Sequence, residues 1–193
     1  AGLVKLGRIG IDGTKVKALA SRHMAMSYGH MVKAEAELKR QIEALLNRAK
    51  AADDAERNEP ELDVPAEIAR REARLTAIAE ARARLEQRQR EADQARGRSD
   101  DDDRRPRGGD GKPKGGRYKR DFGVPEDKAQ ENFTDPDSRI MKRAGGGFDP
   151  SYNAQTAVDE TAHIIVAAEL TNNASDAGQL AGVLQAVRDN VEQ

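Results

Sequence analysis

The chain has 193 residues, of which 37% are hydrophobic, 3% are aromatic and 35% are charged. Such a polar composition excludes one compact core along the whole length, so we expect part of the chain to be extended helix or disordered. The sequence contains no cysteine, which excludes disulfides and cysteine-ligated zinc, and it has no apolar run of membrane-spanning length. We therefore expect a cytoplasmic protein without a membrane partner.

The net charge of −1 conceals a strong segregation of charge along the chain. Residues 1–52 hold ten Lys or Arg against four Asp or Glu, and residues 104–120 hold eight against one. Residues 53–103 and 121–193 are acidic. This asymmetry suggests a polyanionic partner for the basic segments.

The first predicted element is a short strand in the segment 1–26. Apolar residues at Leu6–Ile11 indicate this strand, and it ends on Asp12, which Gly13 follows. Residues 14–20 contain lysines in alternation and either extend the strand or begin an arm.

Two helices are predicted within residues 27–96. The first begins near Ser27, which serves as its N-cap, and ends before Pro60, because proline disfavours helix in the residue before it. The second begins at Pro65 and runs to about Arg96. A short link joins the two, so we expect an antiparallel, coiled-coil-like hairpin. Its apolar positions are Met31, Ala34, Leu38, Ile42, Leu45 and Ala49 in the first helix and Ile68, Leu75, Ile78 and Leu85 in the second.

A linker and a small β-rich segment complete the chain. From Gly97 to about Asp121 the sequence is rich in Gly, Asp and Arg, so we predict that residues 97–131 form a disordered linker. In the segment 132–193, apolar alternation at 151–158 and 164–170 around a polar turn predicts a β-hairpin. A helix from about Ala177 to Val191 follows, capped by Ser175 or Asp176.

Several carboxylates are candidates for chemistry, and each also has a structural interpretation. Asp12 at a strand end has the position of a magnesium ligand, although Asp-Gly on its own is more typical of a turn. Asp159 is a possible second ligand, but its place in the hairpin turn favours a turn residue. We interpret Asp176 primarily as a helix-start residue. We interpret Asp135 and Asp137 as members of a turn around the proline between them.

Other polar residues give weaker signals. Asn153 and Gln155 alternate with apolar residues, so they either line a cleft near Asp12 or occupy the solvent face of a strand. Tyr152 is typical of strand packing. The three histidines lack metal-ligand spacing, so we interpret them as surface or turn residues.

The basic residues are candidates for contact with DNA phosphates. Lys15, Lys17 and Arg22 follow Asp12 closely and are best placed to hold DNA near it. The stretch from 104 to 120 either contacts phosphates or is a solvated linker. Its cationic residues are Arg104, Arg105, Arg107, Lys112, Lys114, Arg117, Lys119 and Arg120.

Four motifs together resemble one family. They are IDGTKV at 11–16, ASRHMAMSYGHM at 20–31, Asp-Pro-Asp at 135–137 and Tyr-Asn-x-Gln-x-Ala-Val-Asp at 152–159. They resemble the catalytic domain of bacterial insertion-sequence transposases of the Asp-Asp-Glu type. In that family the first triad Asp lies in a strand with the motif D-G-T-x-(I/V), which IDGTKV matches.

The resemblance implies an α/β (α+β) fold with a partial ribonuclease H-like core. This core would consist of a three-stranded antiparallel meander and a helix, interrupted by the helical hairpin and the linker. It also implies Mg²⁺ or Mn²⁺ as cofactor, double-stranded DNA at insertion-sequence ends as partner, a possible homo-oligomer, and a bacterial, nucleoid-associated location. Asp12 would be the catalytic residue and metal ligand.

The family's second Asp, in a motif (A/C)-D-x-G-Y, and its Glu have no counterpart here. The resemblance therefore implies an internal or truncated piece that is catalytically incomplete alone. Two other readings of the residues stay open. One is an interaction module built on the helical hairpin, and the other is a DNA-binding remnant without catalysis.

Overall fold

The computed structural model describes residues 7–54, 63–100, 112 and 118–191. The described chain divides into two compact units. The sheet unit comprises residues 1–25 and 134–193, and the helical unit comprises residues 26–133. The mixed α/β class predicted from sequence is confirmed, with antiparallel strands and three helices in the described ranges. The elements in chain order are β1 (Ile9–Lys17), β2 (Ala25–Ser27), α1 (Tyr28–Asp54), α2 (Val64–Ala95), β3 (Gln130–Asn132), β4 (Arg139–Lys142), β5 (Phe148–Asp159), β6 (Ile165–Thr171) and α3 (Leu180–Val191).

The sheet unit is organised around β5, its longest strand. Along one edge β5 pairs antiparallel with β1, and along the other edge it pairs antiparallel first with β4 and then with β6. The predicted hairpin of 151–158 with 164–170 is thereby confirmed. Among the described residues β1 pairs with β5 alone, so its second edge is free of strand partners.

The core of the sheet unit lies between one face of the sheet and α3. Successive residues of a strand point to opposite faces, and every second residue of β5 from Asn153 to Asp159 is buried. Helix α3 packs Val183 and Val187 against Ala157 and Ala167 of the sheet. Ile9 and Ile11 of β1 extend this core.

The sequence left two possibilities for residues 14–20, and extension of the first strand is confirmed as far as Lys17. Strand β1 does not stop at Asp12, because that residue and Gly13 pair in register with Thr156 and Gln155 and the strand continues to Lys17. The alternative turn at Asp-Gly is therefore also wrong. Asp-Gly is a frequent turn signal, but here continuous pairing with β5 from Ser151 to Asp159 overrides it.

The start of α3 is also corrected, from about Ala177 to Leu180. The segment before the helix forms side-chain turns, in which the Ala177 N–H donates to Ser175 Oγ at 3.2 Å. The Gln179 N–H donates to the backbone carbonyl of Asp176 at 3.2 Å. Asp176 is thus not the N-cap, and its carboxylate is free for other contacts.

The helical unit contains the predicted antiparallel hairpin. Contacts pair early residues of α1 with late residues of α2, since Tyr28 meets Glu86 while Gln41 meets Arg71. The shared core consists of Met31, Leu38, Ile78, Ala81 and Leu85. The link between the helices, at 55–62, lies outside the described residues.

The N-terminus of α1 differs from the prediction. Ser27 belongs to β2 and does not cap the helix as expected. Instead, the first N–H groups of α1, from Tyr28 and Gly29, donate to the carbonyls of Ala129 and Asp127 at 2.8 and 3.0 Å. A loop distant in sequence therefore satisfies these groups.

The predicted disordered linker is wrong for residues 118–131. These residues pack against the helical hairpin and lead into β3, which pairs with β2. The buried carboxylate of Glu131 forms ion pairs with Arg84 and Arg88 of α2, and Phe133 packs against the helical core. Polar anchoring leaves little hydrophobic pattern in the sequence, which is why the segment resembles a linker. The rest of that prediction, at 101–111 and 113–117, lies outside the described residues.

Helices α1 and α2 are long but rich in charge. No helix within the described ranges combines the length and the apolar character that a membrane crossing requires.

Candidate functional site

Asp12 lies in the middle of β1 with its side chain exposed. Its Oδ1 accepts a hydrogen bond of 2.8 Å from the N–H of Gly13, and its backbone carbonyl accepts one of 3.4 Å from Thr156 Oγ1. No basic side chain within the described ranges forms an ion pair with this carboxylate. Oδ2 therefore remains available to a ligand.

The face of the sheet that carries Asp12 is opposite to the face covered by α3. Ile9, Ile11, Gly13 and Lys15 share the α3 side, so Asp12 points away from it. No described helix of the sheet unit covers the Asp12 face. Val16, Leu170 and Ile165 lie there, 47%, 62% and 61% exposed.

A polar cluster occupies the α3 side of the same strands. The Oδ1 atom of Asp176 accepts hydrogen bonds from Asn153 Nδ2 at 2.7 Å, from Gln155 Nε2 at 2.6 Å and from Lys15 Nζ at 3.3 Å. We name these four residues the Asp176 cluster. It ties the loop between β6 and α3 to β1 and β5, the two strands that hold Asp12 in place.

Gly13 makes this cluster possible. A Cβ atom built on Gly13 would lie 2.4 Å from Asp176 Oδ1 and 2.4 Å from Gln155 Nε2, too close for either atom. The absence of a side chain at position 13 lets the carboxylate approach the strand. Asp12 thus presents its carboxylate on one face of the sheet, and Gly13 makes room for the Asp176 cluster on the other face.

The charge state of the Asp176 cluster follows from its hydrogen bonds. Donation by Asn153 and Gln155 lowers the pKa of the Asp176 carboxyl; partial desolvation opposes this shift, and the nearby ammonium group of Lys15 adds to it. Asp176 is therefore ionised and neutralises Lys15. The sequence signal for this role was a pair of amide side chains two residues apart on the strand opposite a glycine. This signal can be recognised only when the strand register is known.

The structure overturns both sequence interpretations of Asn153 and Gln155. They do not line a cleft beside Asp12, because they lie on the opposite face of the sheet. Neither do they occupy a solvent face, since they are 0% and 3% exposed. Asn153 Oδ1 is buried without a hydrogen-bond donor among the described atoms.

The other candidate acids have structural roles. Asp159 Oδ2 accepts from the N–H groups of Thr161 and Ala162 at 3.0 and 2.7 Å, as expected for a turn residue. Asp135 closes the predicted turn by accepting from the Ser138 N–H, and it also accepts a 2.7 Å bond from the Tyr152 hydroxyl. Burial and that bond raise the pKa of Tyr152 to about 12.

The basic candidates are dispersed. The expectation that Lys15 holds DNA beside Asp12 is wrong, because Lys15 lies on the opposite face of the sheet. Its side chain is 19% exposed and is paired with Asp176. Lys17 and Arg22 are exposed, and Lys17 shares the face of Lys15. Lys112 is exposed, whereas Lys119 and Arg120 belong to the helical unit. The remaining candidates, Arg104, Arg105, Arg107, Lys114 and Arg117, lie outside the described residues.

The geometry around Asp12 provides one oxygen ligand for a metal ion. Within the described ranges no three His, Asp or Glu side chains are grouped closely enough to hold a metal. Mg²⁺ takes few ligands from a protein and keeps several waters, so one exposed carboxylate fits as a single member of a larger ligand set. No family model, curated protein or solved structure matches this chain.

Proposed function

We propose that this chain carries part of the catalytic domain of an Asp-Asp-Glu transposase, with Asp12 as the first metal ligand. The observation that carries the proposal is the position of Asp12 within IDGTKV. Its carboxylate is exposed on the sheet face opposite α3, and a backbone N–H orients one of its oxygens. The reaction would be metal-dependent cleavage and transfer of DNA strands at insertion-sequence ends.

The strand arrangement supports a ribonuclease H-like core. Strand β5 lies between β1 and β6, all neighbours are antiparallel, and α3 follows β6 and packs on the sheet. This order of antiparallel strands with a following helix is compatible with the meander that the resemblance implies, and so it supports the proposal. The helical unit enters the chain between β1 and β4, where the resemblance allows an insertion.

The residues of this chain would perform a limited part of the chemistry. Asp12 would hold a divalent cation, and the Gly13 N–H would fix the orientation of the carboxylate. When bound, two such ions activate a water or a 3′-hydroxyl and stabilise the leaving oxygen of the phosphodiester. That requires carboxylates beyond Asp12, so we predict that this chain alone does not nick DNA in Mg²⁺.

A paramagnetic metal tests the assignment of Asp12 directly. We expect Mn²⁺ to broaden the amide NMR signals of Asp12 and Gly13 selectively, and Asp12→Asn to abolish this broadening. Asp137→Asn is the matched control, since Asp137 is also exposed and lies outside the proposed site. Equal broadening in the Asp12→Asn chain would contradict the assignment, as would Mg²⁺-dependent plasmid nicking that Asp12→Asn leaves unchanged.

The second candidate is an interaction module based on the helical unit, without catalysis. Its support is that α1 and α2 share a core and cross-helix ion pairs such as Arg82 with Glu35, none of which involves Asp12. Sedimentation of the whole chain tests it, because a monomer at high concentration would exclude self-association. DNA binding that is salt-sensitive and survives Asp12→Asn would instead favour a DNA-binding remnant.

A further inference from the structure

A pocket of about 340 Å³ lies at the C-terminal end of α2, within the helical unit. We name it the α2 pocket. Its lining includes four cationic side chains but only two carboxylates, those of Asp93 and Glu126. The cationic residues are Arg96, Arg98, Lys119 and Arg120.

Local backbone structure builds this pocket. Gly97 has a φ of 76° and follows the C-cap residue Arg96. The N–H of Gly97 donates to the Gln94 carbonyl at 2.8 Å, and that of Arg98 donates to the Asp93 carbonyl at 2.9 Å. This is the Schellman arrangement, which satisfies the last helix carbonyls and turns the chain back over the helix. Arg98 is thereby directed onto the end of α2.

The side chain of Arg98 is held in a defined position, with 8% of its surface exposed. One guanidinium nitrogen contacts Asp93 Oδ1 at 3.1 Å, and another donates to the Arg120 carbonyl at 3.1 Å. The guanidinium carbon lies 3.9 Å from the centre of the Tyr118 ring. Its Nε atom is buried and has no acceptor among the described atoms.

Both carboxylates of the pocket are already neutralised. Burial tends to raise the pKa of Asp93, but hydrogen bonds from the Gly123 N–H and Gln89 and the charge of Arg98 outweigh it and lower the pKa. Glu126 contacts Lys128 at 3.0 Å and Arg120 at 3.5 Å, and the bond from Lys128 is the largest cause that lowers its pKa. Two carboxylates therefore face four cationic side chains in the lining, which leaves an excess of positive charge.

Arg96 has no acidic partner in the part of the chain that the structure describes, and Lys119 has only the weakest of the attractions that act on the Glu126 carboxylate. Two exposed cations thus line a pocket that also contains Arg98, whose buried Nε has no acceptor among the described atoms. Excess positive charge in a concave site attracts anions, and arginine is the preferred residue for phosphate oxygens. The volume exceeds what one phosphate group needs.

We propose that the α2 pocket binds a phosphate group, either as free inorganic phosphate or as a phosphodiester of a nucleic acid backbone. Arg96 and Lys119 contact its oxygens, and Arg98 supplies a fixed positive charge at the base of the site. This site is independent of Asp12 and of metal. The test of phosphate binding is therefore independent of the test of the proposed transposase chemistry.

A double substitution of the exposed cations tests the site in the whole chain. Arg96→Gln with Lys119→Gln removes both charges, whereas Arg74→Gln with Lys39→Gln is the control, removing two exposed helix cations elsewhere in the same unit. Fluorescence anisotropy with a 20-base-pair duplex measures binding against salt, and ³¹P NMR measures binding of inorganic phosphate. Circular dichroism confirms that both variants are folded.

If the ligand is a nucleic acid backbone, the slope of log K against log salt falls by about 2 in the pocket variant and stays unchanged in the control. If the ligand is free phosphate, only the pocket variant loses the phosphate-dependent ³¹P signal change, and duplex binding is equal in all three proteins. Identical behaviour of the pocket variant and the control in both measurements would overturn the proposal.

Discussion

At the scale of single residues, the sheet unit depends on the missing side chain at Gly13. The two residues of the Asp12-Gly13 pair have separate tasks, because one presents a carboxylate on the open face and the other admits Asp176 on the α3 side. Antiparallel register brings Gln155 directly opposite Gly13, so the amide fills the space that a side chain would occupy. A substitution at position 13 should therefore disturb the packing around Asp12 while it leaves the Asp12 carboxylate itself unchanged.

We predict that Gly13→Ala lowers the free energy of unfolding of the sheet unit by about 1 to 3 kcal/mol, because the new Cβ atom forces Asp176 or Gln155 away. Gly10→Ala on the same strand is the matched control. Its Cβ would lie 4.0 Å from the Val158 carbonyl, an ordinary contact, so we expect a change within about 0.5 kcal/mol. Urea titration followed by the amide NMR signals of β5 measures both. Equal effects of the two substitutions would show that the cluster does not constrain position 13.

At the scale of elements, β3 is attached to α2 by ion pairs, whereas apolar contacts are the usual means of attachment. The side chain of Glu131 is 0% exposed, whereas its partners Arg84 and Arg88 are 42% and 31% exposed. The carboxylate accepts from both guanidinium groups, so its burial is compensated. Residues 118–131 consequently follow the helical hairpin although their sequence has little apolar pattern.

We predict that Glu131→Gln lowers the free energy of unfolding of the helical unit by about 2 kcal/mol, because one guanidinium group then faces an NH2 donor and the other bonds to an uncharged oxygen. Glu37→Gln is the control, since Glu37 pairs with Arg40 on the exposed surface of α1, where water screens the ion pair and its loss should change stability little. Urea denaturation monitored by circular dichroism at 222 nm gives both values. A loss no larger than that of the control would mean that Glu131 does not anchor the segment.

Patterns that repeat along an element were predictable, and contacts between distant segments were not. The 3–4 spacing of Leu38, Ile78 and Leu85 predicted two packed helices, and alternation in 151–158 predicted the hairpin. The end of β1 was missed because Asp-Gly has the same local signature in a turn and in a paired strand. Asp176 was read as a helix cap, since its partners Asn153 and Lys15 are 23 and 161 residues away in the chain.

At the scale of the whole molecule, the two units differ in the size of their cores. The helical core contains methionine, leucine and isoleucine together with partly buried Tyr28 and Phe133. The core cluster of the sheet unit consists of two alanines and two valines, extended by Ile9 and Ile11, and Met141 and Ala18 are buried outside this cluster. Hydrophobic stabilisation scales with the apolar area removed from water, so the sheet unit has less of it.

We therefore predict that the chain unfolds in two steps in urea, with the sheet unit first. Amide NMR signals of β5 should disappear at a lower urea concentration than those of α2. A single transition shared by both sets of signals would contradict this expectation, because it would require the two units to unfold as one cooperative body.

The second edge of β1, which has no strand partner among the described residues, has a consequence for the behaviour of the chain in concentrated solution. A strand edge with open N–H and C=O groups is a template for a further strand, including one from another copy of the chain. Along this edge the side chains include Asp12, Lys15 and Lys17, and charges of this kind discourage pairing between identical strands. The carboxylate that we assign to metal binding would then also act as a safeguard against aggregation. Its neutralisation, by protonation or by substitution, would weaken that protection at the same position.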